Sequence, residues 1–271
     1  MTMPAMPDKR TSIIVEHHAN VLVLTINRAH KRNALNEATV TGLAEILGAP
    51  PAGTRCAVLA AKGEHFSAGL DLSELVLRDA YHGVLHSRLW HKCLDAVQFA
   101  PIPVVAALHG AVIGGGLELA AAAHIRVADA TAYYALPEGA RGMYVGGGGS
   151  ARLPRLIGVA RMADMMLTGR VLDADEGLQA GLSQYLVKAG TSLAKAMELA
   201  GRIAENTALT NFALTQVLPR IADSPQDSGL LTESLIAALA QSDPEAKKRL
   251  ADFLEGRAAK VRRTPRRAAK T

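Results

Sequence analysis

The chain has 271 residues, 49% hydrophobic and 20% charged, enough apolar material for one large globular body. No stretch approaches the roughly 18 unbroken apolar residues of a membrane span, and residues 1–10 hold no apolar core of a secretory leader, so neither a membrane nor export is expected. The two cysteines, Cys56 and Cys93, form no disulfide framework and lack metal-ligand spacing, which points to a reducing cytoplasm and no metal site.

The formal net charge of +5 is unevenly placed. From Arg257 to Lys270 the chain carries seven Lys/Arg and no acid, leaving 23 basic against 25 acidic residues elsewhere. The high charge therefore belongs to a basic tail, read here as a solvated, disordered end rather than a nucleic-acid contact.

In chain order, Ile13 to Glu16 and Val21 to Ile26 read as a strand pair around His17-His18-Ala19-Asn20. Asn36 is a good N-cap for a helix from Glu37 that stops near Gly48 and Pro50-Pro51. A strand at Ala57 to Ala61 follows, then a helical region from about Tyr81 to Phe99, ended by Pro101 and Pro103. Val104 to Leu108 is short, apolar and β-branched at its start, the pattern of a buried strand. Gly114-Gly115-Gly116 precedes the strong helix former Leu117 to Ala123, and short strands are expected near Ile125 to Ala128 and Thr131 to Ala135. From Ala151 the pattern is mostly helical, with a clear helix start at Asp243-Pro244-Glu245. Strands alternating with helices predict an α/β core.

A triple glycine at a helix N-terminus leaves backbone N–H groups bare at the positive end of the helix dipole. Glu118 falls in that first turn. Two readings follow: a tight strand-to-helix turn with a glutamate placed well for the dipole, or donors for an anion or developing oxyanion. Gly146 to Gly149 likewise suits either a phosphate nest or a loop passing close to an active site; no lysine follows in Walker fashion, which favours the second. His82 and His86 share a helix face without a third ligand and read as an exposed or capping pair. His109 reads as a satisfied core histidine, and Ser67 lacks a nucleophile-elbow context. Arg28, Lys31 and Lys62 are candidate partners for phosphates.

Several ordered motifs add to this. His65-Phe66-Ser67-Ala68-Gly69-Leu70-Asp71-Leu72, His109-Gly110 through Glu118, and Leu136-Pro137-Glu138 together resemble the crotonase (enoyl-CoA hydratase/isomerase) superfamily. Asn27-Arg28-Ala29-His30-Lys31-Arg32-Asn33-Ala34-Leu35 is similar to the family's early Asn-Arg-Pro…Asn-Ala-Leu segment, with Ala29 where proline is usual. Leu167-Thr168-Gly169-Arg170 and Phe253-Leu254-Glu255-Gly256-Arg257 extend the likeness to roughly residues 12 to 257. After Glu138, Gly142-Met143-Tyr144-Val145 departs from the family's Gly-x-x-Pro.

The resemblance implies an α/β fold with a ββα spiral core over 12–200, a helical oligomerisation region over 201–257, an N-terminal extension at 1–11 and the basic disordered tail at 258–271. It implies an oxyanion hole from the backbone N–H groups of Ala68 and Gly115, with substrate contacts at Ala68, Gly69, Leu70, Asp71 and Gly115. Asp71 itself is read as a helix cap rather than a chemical group. Glu118 and Glu138 match the two catalytic glutamates of the hydratase branch, whereas isomerase branches commonly keep only one position acidic. The expected reaction is addition of water to a 2-enoyl-CoA thioester to give a 3-hydroxyacyl-CoA. No cofactor or metal is expected beyond the coenzyme A that belongs to the substrate. The alternatives are a crotonase-fold isomerase or hydratase-lyase on another acyl-CoA, and a non-catalytic binder of acyl-CoA or RNA. The expected partners are an acyl-CoA thioester and further copies of the chain in a homotrimer or hexamer. Residues 72–90, with Leu75, Val76, Leu77, Leu85, Leu89 and Trp90, are expected to wall the acyl pocket.

Overall fold

The computed structural model describes residues 12–74 and 79–257. The chain divides into two compact units, Met1–Gln216 and Val217–Thr271. The first is built on a six-stranded sheet in the order β1-β2-β3-β4-β6-β8, comprising β1 Ile13–His18, β2 Val21–Ile26, β3 Cys56–Ala61, β4 Val104–Leu108, β6 Ile125–Asp129 and β8 Tyr185–Val187. Only the β1–β2 hairpin is antiparallel; the remaining pairs run parallel. A separate parallel pair joins β5 Ala111–Ile113 to β7 Tyr133–Ala135.

The central strands read as unbroken apolar runs because both faces of the sheet are covered. Leu22, Leu24, Ile26, Leu59 and Leu108 join one core with Leu43 and Leu47 of α1 (Glu37–Gly48) and Leu94 and Val97 of α2 (Ala80–Gln98). The alternate residues Val21, Val23, Val58, Val105 and Val127 meet Ala196, Leu199 and Ala200 of a later helix, α7 (Ser192–Ala204), on the other face. Between them lie α3 Gly115–Ala122, α4 Gly149–Ile157, α5 Val159–Thr168 and α6 Ala174–Ala180, and α8 Ala208–Phe212 follows α7. Asn36 caps α1 as expected, its side chain accepting from the Thr39 N–H at 3.0 Å. The strands β5 and β8 are three residues each, too short to carry a strand pattern of their own.

The second unit holds α9 Leu218–Asp223, α10 Gln226–Ser242 and α11 Pro244–Leu254, with α10 packed on both neighbours. Asp243 caps α11 and Pro244 opens it. Arg257 pairs with Asp252 and Glu255, and the other cations of the basic tail lie outside the described residues. Cys56 and Cys93 are free and buried, and burial pushes the Cys56 thiol up to about 12. No helix among the described residues is long and apolar enough to cross a membrane.

Candidate active site

The site forms where four chain segments converge at one end of the parallel strands. The first is 28–35. Asn33 is fully buried; its amide donates to the carbonyls of Lys62 and His65, both at 2.7 Å, and its Oδ1 accepts from the Arg28 N–H at 2.9 Å. This staple lays residues 32–35 along the second segment, 68–71. There the Ala68 N–H donates to the Arg32 carbonyl at 3.0 Å, the Leu35 N–H to Gly69 and the Asp71 N–H to Leu35.

That ladder corrects one expectation. Ala68 lines the cleft, but its N–H is already engaged by Arg32 and is not a donor to substrate. Gly69 adopts φ +98°, which breaks the strand alternation and turns the next amide, that of Leu70, away from the ladder. A β-carbon on Gly115 would sit 3.5 Å from the Leu70 nitrogen, and one on Gly69 would sit 3.6 Å from the Gly115 nitrogen. The N–H groups of Leu70 and Gly115 thus lie on facing edges, and neither finds an acceptor among the described residues.

Gly115 opens α3, the third segment, and Gly114 before it has φ +51°. The β5–β7 pairing matches Ile113 with Ala135, and the Gly114 N–H donates to the Ala135 carbonyl at 2.9 Å. The register carries Leu136-Pro137-Glu138 past the start of α3. A β-carbon at Gly114 would stand 2.5 Å from Glu138 Oε1, so glycine here lets the carboxyl approach the backbone closely.

Glu118 and Glu138 therefore line one cleft of about 1000 Å³. Glu118 is only 4% exposed, yet its Oε1 accepts from the N–H of Gly147 at 2.8 Å and of Gly149 at 2.7 Å. Burial raises its carboxyl to about 6, opposed by those two amides and by Arg152, and reinforced by Glu138. Glu138 is half-buried, and its Oε2 is shielded without a hydrogen-bond partner among the described residues. Burial raises this carboxyl too, against its own backbone hydrogen bond and Arg141.

The four-glycine run is the fourth segment, and its amides serve Glu118 rather than an external phosphate. Asp71 accepts from the N–H and hydroxyl of Ser73, at 3.1 and 2.7 Å, at the head of the short turn 72–74. It also pairs with Arg28 at 2.6 Å and Lys31 at 3.0 Å. Burial alone would raise its carboxyl, but Ser73, Arg28 and Lys31 together hold it well below the usual range. Two of the candidate phosphate cations are thus turned inward to Asp71, although Lys31 still borders the cleft.

On α2, the face towards the cleft is Gly83, His86, Ser87 and Trp90, at helical spacing. Leu85, expected in the wall, is half exposed, and Leu89 packs on the core; Leu75, Val76 and Leu77 lie outside the described residues. His82 contacts the cap residue Asp79, and His86 Nδ1 lies 2.9 Å from Glu37 Oε1. His109, half-buried, meets the Gly63 carbonyl at 3.1 Å. No group of three metal-ligating side chains occurs among the described residues. Sequence reasoning missed Leu70 as the facing amide, and missed Ser87, Gln98 and Arg152 around the glycine loop. Main-chain donors carry no side-chain signature, and a lone serine or arginine on a helix carries no chemical one.

The fold and this site define the class: a crotonase-type α/β core whose cleft brings two desolvated glutamates beside a pair of unengaged amides. A family model described as enoyl-CoA hydratase/isomerase matches residues 16–263, and the chain belongs to that family. It is 30% identical over 249 residues to the short-chain-enoyl-CoA hydratase of Clostridium acetobutylicum, covering 91% of this chain and 95% of that one. It is 31% identical over 251 residues to the 2,3-dehydroadipyl-CoA hydratase of Escherichia coli, covering 91% and 97%. Among solved structures, a Rhodopseudomonas palustris protein assigned provisionally to the enoyl-CoA hydratases is 56% identical with a TM-score of 0.89, covering 94% and 98%. The enoyl-CoA hydratase of Bacillus anthracis is 30% identical with a TM-score of 0.84, covering 91% and 97%.

Proposed function

We propose that this protein is an enoyl-CoA hydratase-type lyase that adds water across the α,β double bond of a 2-enoyl-CoA thioester. The observation that carries the reading is the β5–β7 register, which delivers Glu138 to the same cleft as Glu118, next to the amides of Leu70 and Gly115.

The thioester carbonyl oxygen sits between the Leu70 and Gly115 N–H groups, which polarise the conjugated double bond and stabilise the enolate. Glu118, ionised, takes a proton from water as the oxygen bonds to Cβ. The π-electron pair moves towards the carbonyl oxygen, and on its return Cα takes a proton from the neutral carboxyl of Glu138. The product is a 3-hydroxyacyl-CoA. Glu118 is left protonated and Glu138 ionised, and proton exchange with solvent resets the pair. The electron balance requires no redox carrier. The two hydratase relatives support the reaction class, and one of them is named for 2,3-dehydroadipyl-CoA.

The same reading takes a homotrimer or hexamer as the working form. Leu235, Leu239, Phe253 and Leu254 stand exposed on α10 and α11 of the second unit, an apolar surface suited to burial against another copy. A panel of 2-enoyl-CoA thioesters of varied chain length, followed by mass spectrometry for a gain of one water, tests the activity. A panel with no hydrated product overturns it, and a monomer by light scattering overturns the assembly.

A further inference from the structure

The four consecutive residues Gly146 to Gly149 have no side chains with which to hold a conformation, and glycine loses more freedom on ordering than any other residue. Two amides of this run nevertheless meet one carboxylate oxygen at 2.7 and 2.8 Å. What holds the run lies behind it. The Gly146 carbonyl accepts from Ser87 Oγ at 2.6 Å, and the same peptide unit ends in the Gly147 N–H that donates to Glu118. The Gly147 carbonyl accepts from Arg152 Nη1 at 2.9 Å. The Gly148 carbonyl accepts from the N–H groups of Ala151 and Arg152, both at 3.1 Å, and that peptide ends in the Gly149 N–H on Glu118.

Arg152 is itself braced from α2, with Nε on Gln98 Oε1 at 2.6 Å and Nη2 on Asp95 Oδ1 at 2.5 Å. The approach of its guanidinium leaves no room for a side chain at Gly148. Ser87 Oγ also lies 3.4 Å from His91 Nε2.

We propose that Arg152 and Ser87 are positioning residues for Glu118, pinning the carbonyls of the glycine loop so that its amides orient the carboxylate. The proposal rests on the reading of Glu118 as the base. Ser87 acts through one peptide unit, a hydroxyl-to-peptide-to-carboxylate chain in which each hydrogen bond polarises the next. Arg152 acts through geometry and through its charge, which opposes the protonation of Glu118. The other charged and titratable groups around this cluster are Glu138 after β7, His91 and Asp95 on α2, and Arg155 on α4. Loss of the Arg152 cation raises the Glu118 carboxyl further, and a base works only when ionised, so the acid limb of the rate profile moves to higher pH.

The test is steady-state hydration of the most active 2-enoyl-CoA of the panel by Ser87→Ala, Arg152→Met, Arg152→Lys and Glu118→Gln. Arg152→Met should lower kcat by about tenfold or more with KM within about twofold, and shift the acid limb upwards. Arg152→Lys, keeping the charge but not the fork, should recover part of both effects. Ser87→Ala should lower kcat by about threefold, with a smaller shift in the same direction. The proposal is overturned if Arg152→Met and Ser87→Ala keep wild-type kcat and acid limb while Glu118→Gln is inactive. An active Glu118→Gln overturns the base assignment and this proposal with it, an outcome that needs no Arg152 variant to recognise. If Arg152→Met does not fold, Arg152→Lys and Ser87→Ala decide by the same criteria.

Discussion

The two glutamates of the cleft are the same residue type in two different settings. Glu118 stands on α3, buried, with one oxygen held by two amides and a cation close behind. Glu138 stands on the loop after β7, half-buried, with an oxygen that is shielded from water and given no donor. Desolvation raises both carboxyls; two loop amides and Arg152 oppose it at Glu118, whereas Glu138 has its own backbone hydrogen bond and Arg141 against it and one oxygen left without a donor among the described residues. A carboxyl oxygen held by two amides is suited to the proposed base, and a shielded one with no donor to the proposed acid, a division of labour that pairs of catalytic carboxyls follow. Environment rather than identity assigns the roles.

The most damaging way to break this pair is to replace either carboxyl with an amide. Glu118→Gln and Glu138→Gln should each lower kcat for hydration by about 10²-fold or more, measured by product formation, with folding retained by circular dichroism. The next expected effect is on stability and separates the two sites. Because the folded state holds the Glu118 carboxyl at about 6, above its ordinary value of 4.5, the wild type loses stability as pH rises through that window. Glu118→Gln should therefore be more stable than wild type by roughly 2 kcal/mol at pH 7.5, with the gain absent near pH 4.5, as read by urea denaturation. A gain of the same size at both values would show that the carboxyl is not held up by burial.

Gly149→Ala sharpens the comparison from the donor side. Its β-carbon would fall 2.8 Å from Glu118 Oε1, so kcat should drop by about tenfold while the Glu138 half-site is untouched. An unaffected kcat would mean that the loop does not orient the base. At the small end, truncation after Gly256 should leave kcat and KM within about twofold, the outcome expected if the tail's cations take no part in substrate binding. A large loss with the oligomeric state preserved would show that the tail's cations bind substrate.

The frame of the protein is legible in its residues. The central strands were legible because both faces of the sheet are buried and leave continuous apolar runs, and α1 and α11 because Asn36 and Asp243-Pro244 are chemical start signals. The motif order was equally legible and located both glutamates. Their surroundings come from contacts distant in the chain. Strands β5 and β8 owe their existence to partners far along the chain, and three residues carry no period from which a strand can be read. The choice of Leu70 over Ala68 as the amide facing Gly115 depends on Arg32, which claims the Ala68 N–H only once Asn33 has pinned its segment in place. The setting of Glu118, and with it the proposed role as base, depends on two glycine amides 29 and 31 residues downstream and on the side chains that hold them. Backbone donors are alike in every residue but proline, so which of them meets a ligand is a property of the fold and cannot be read from the side chains.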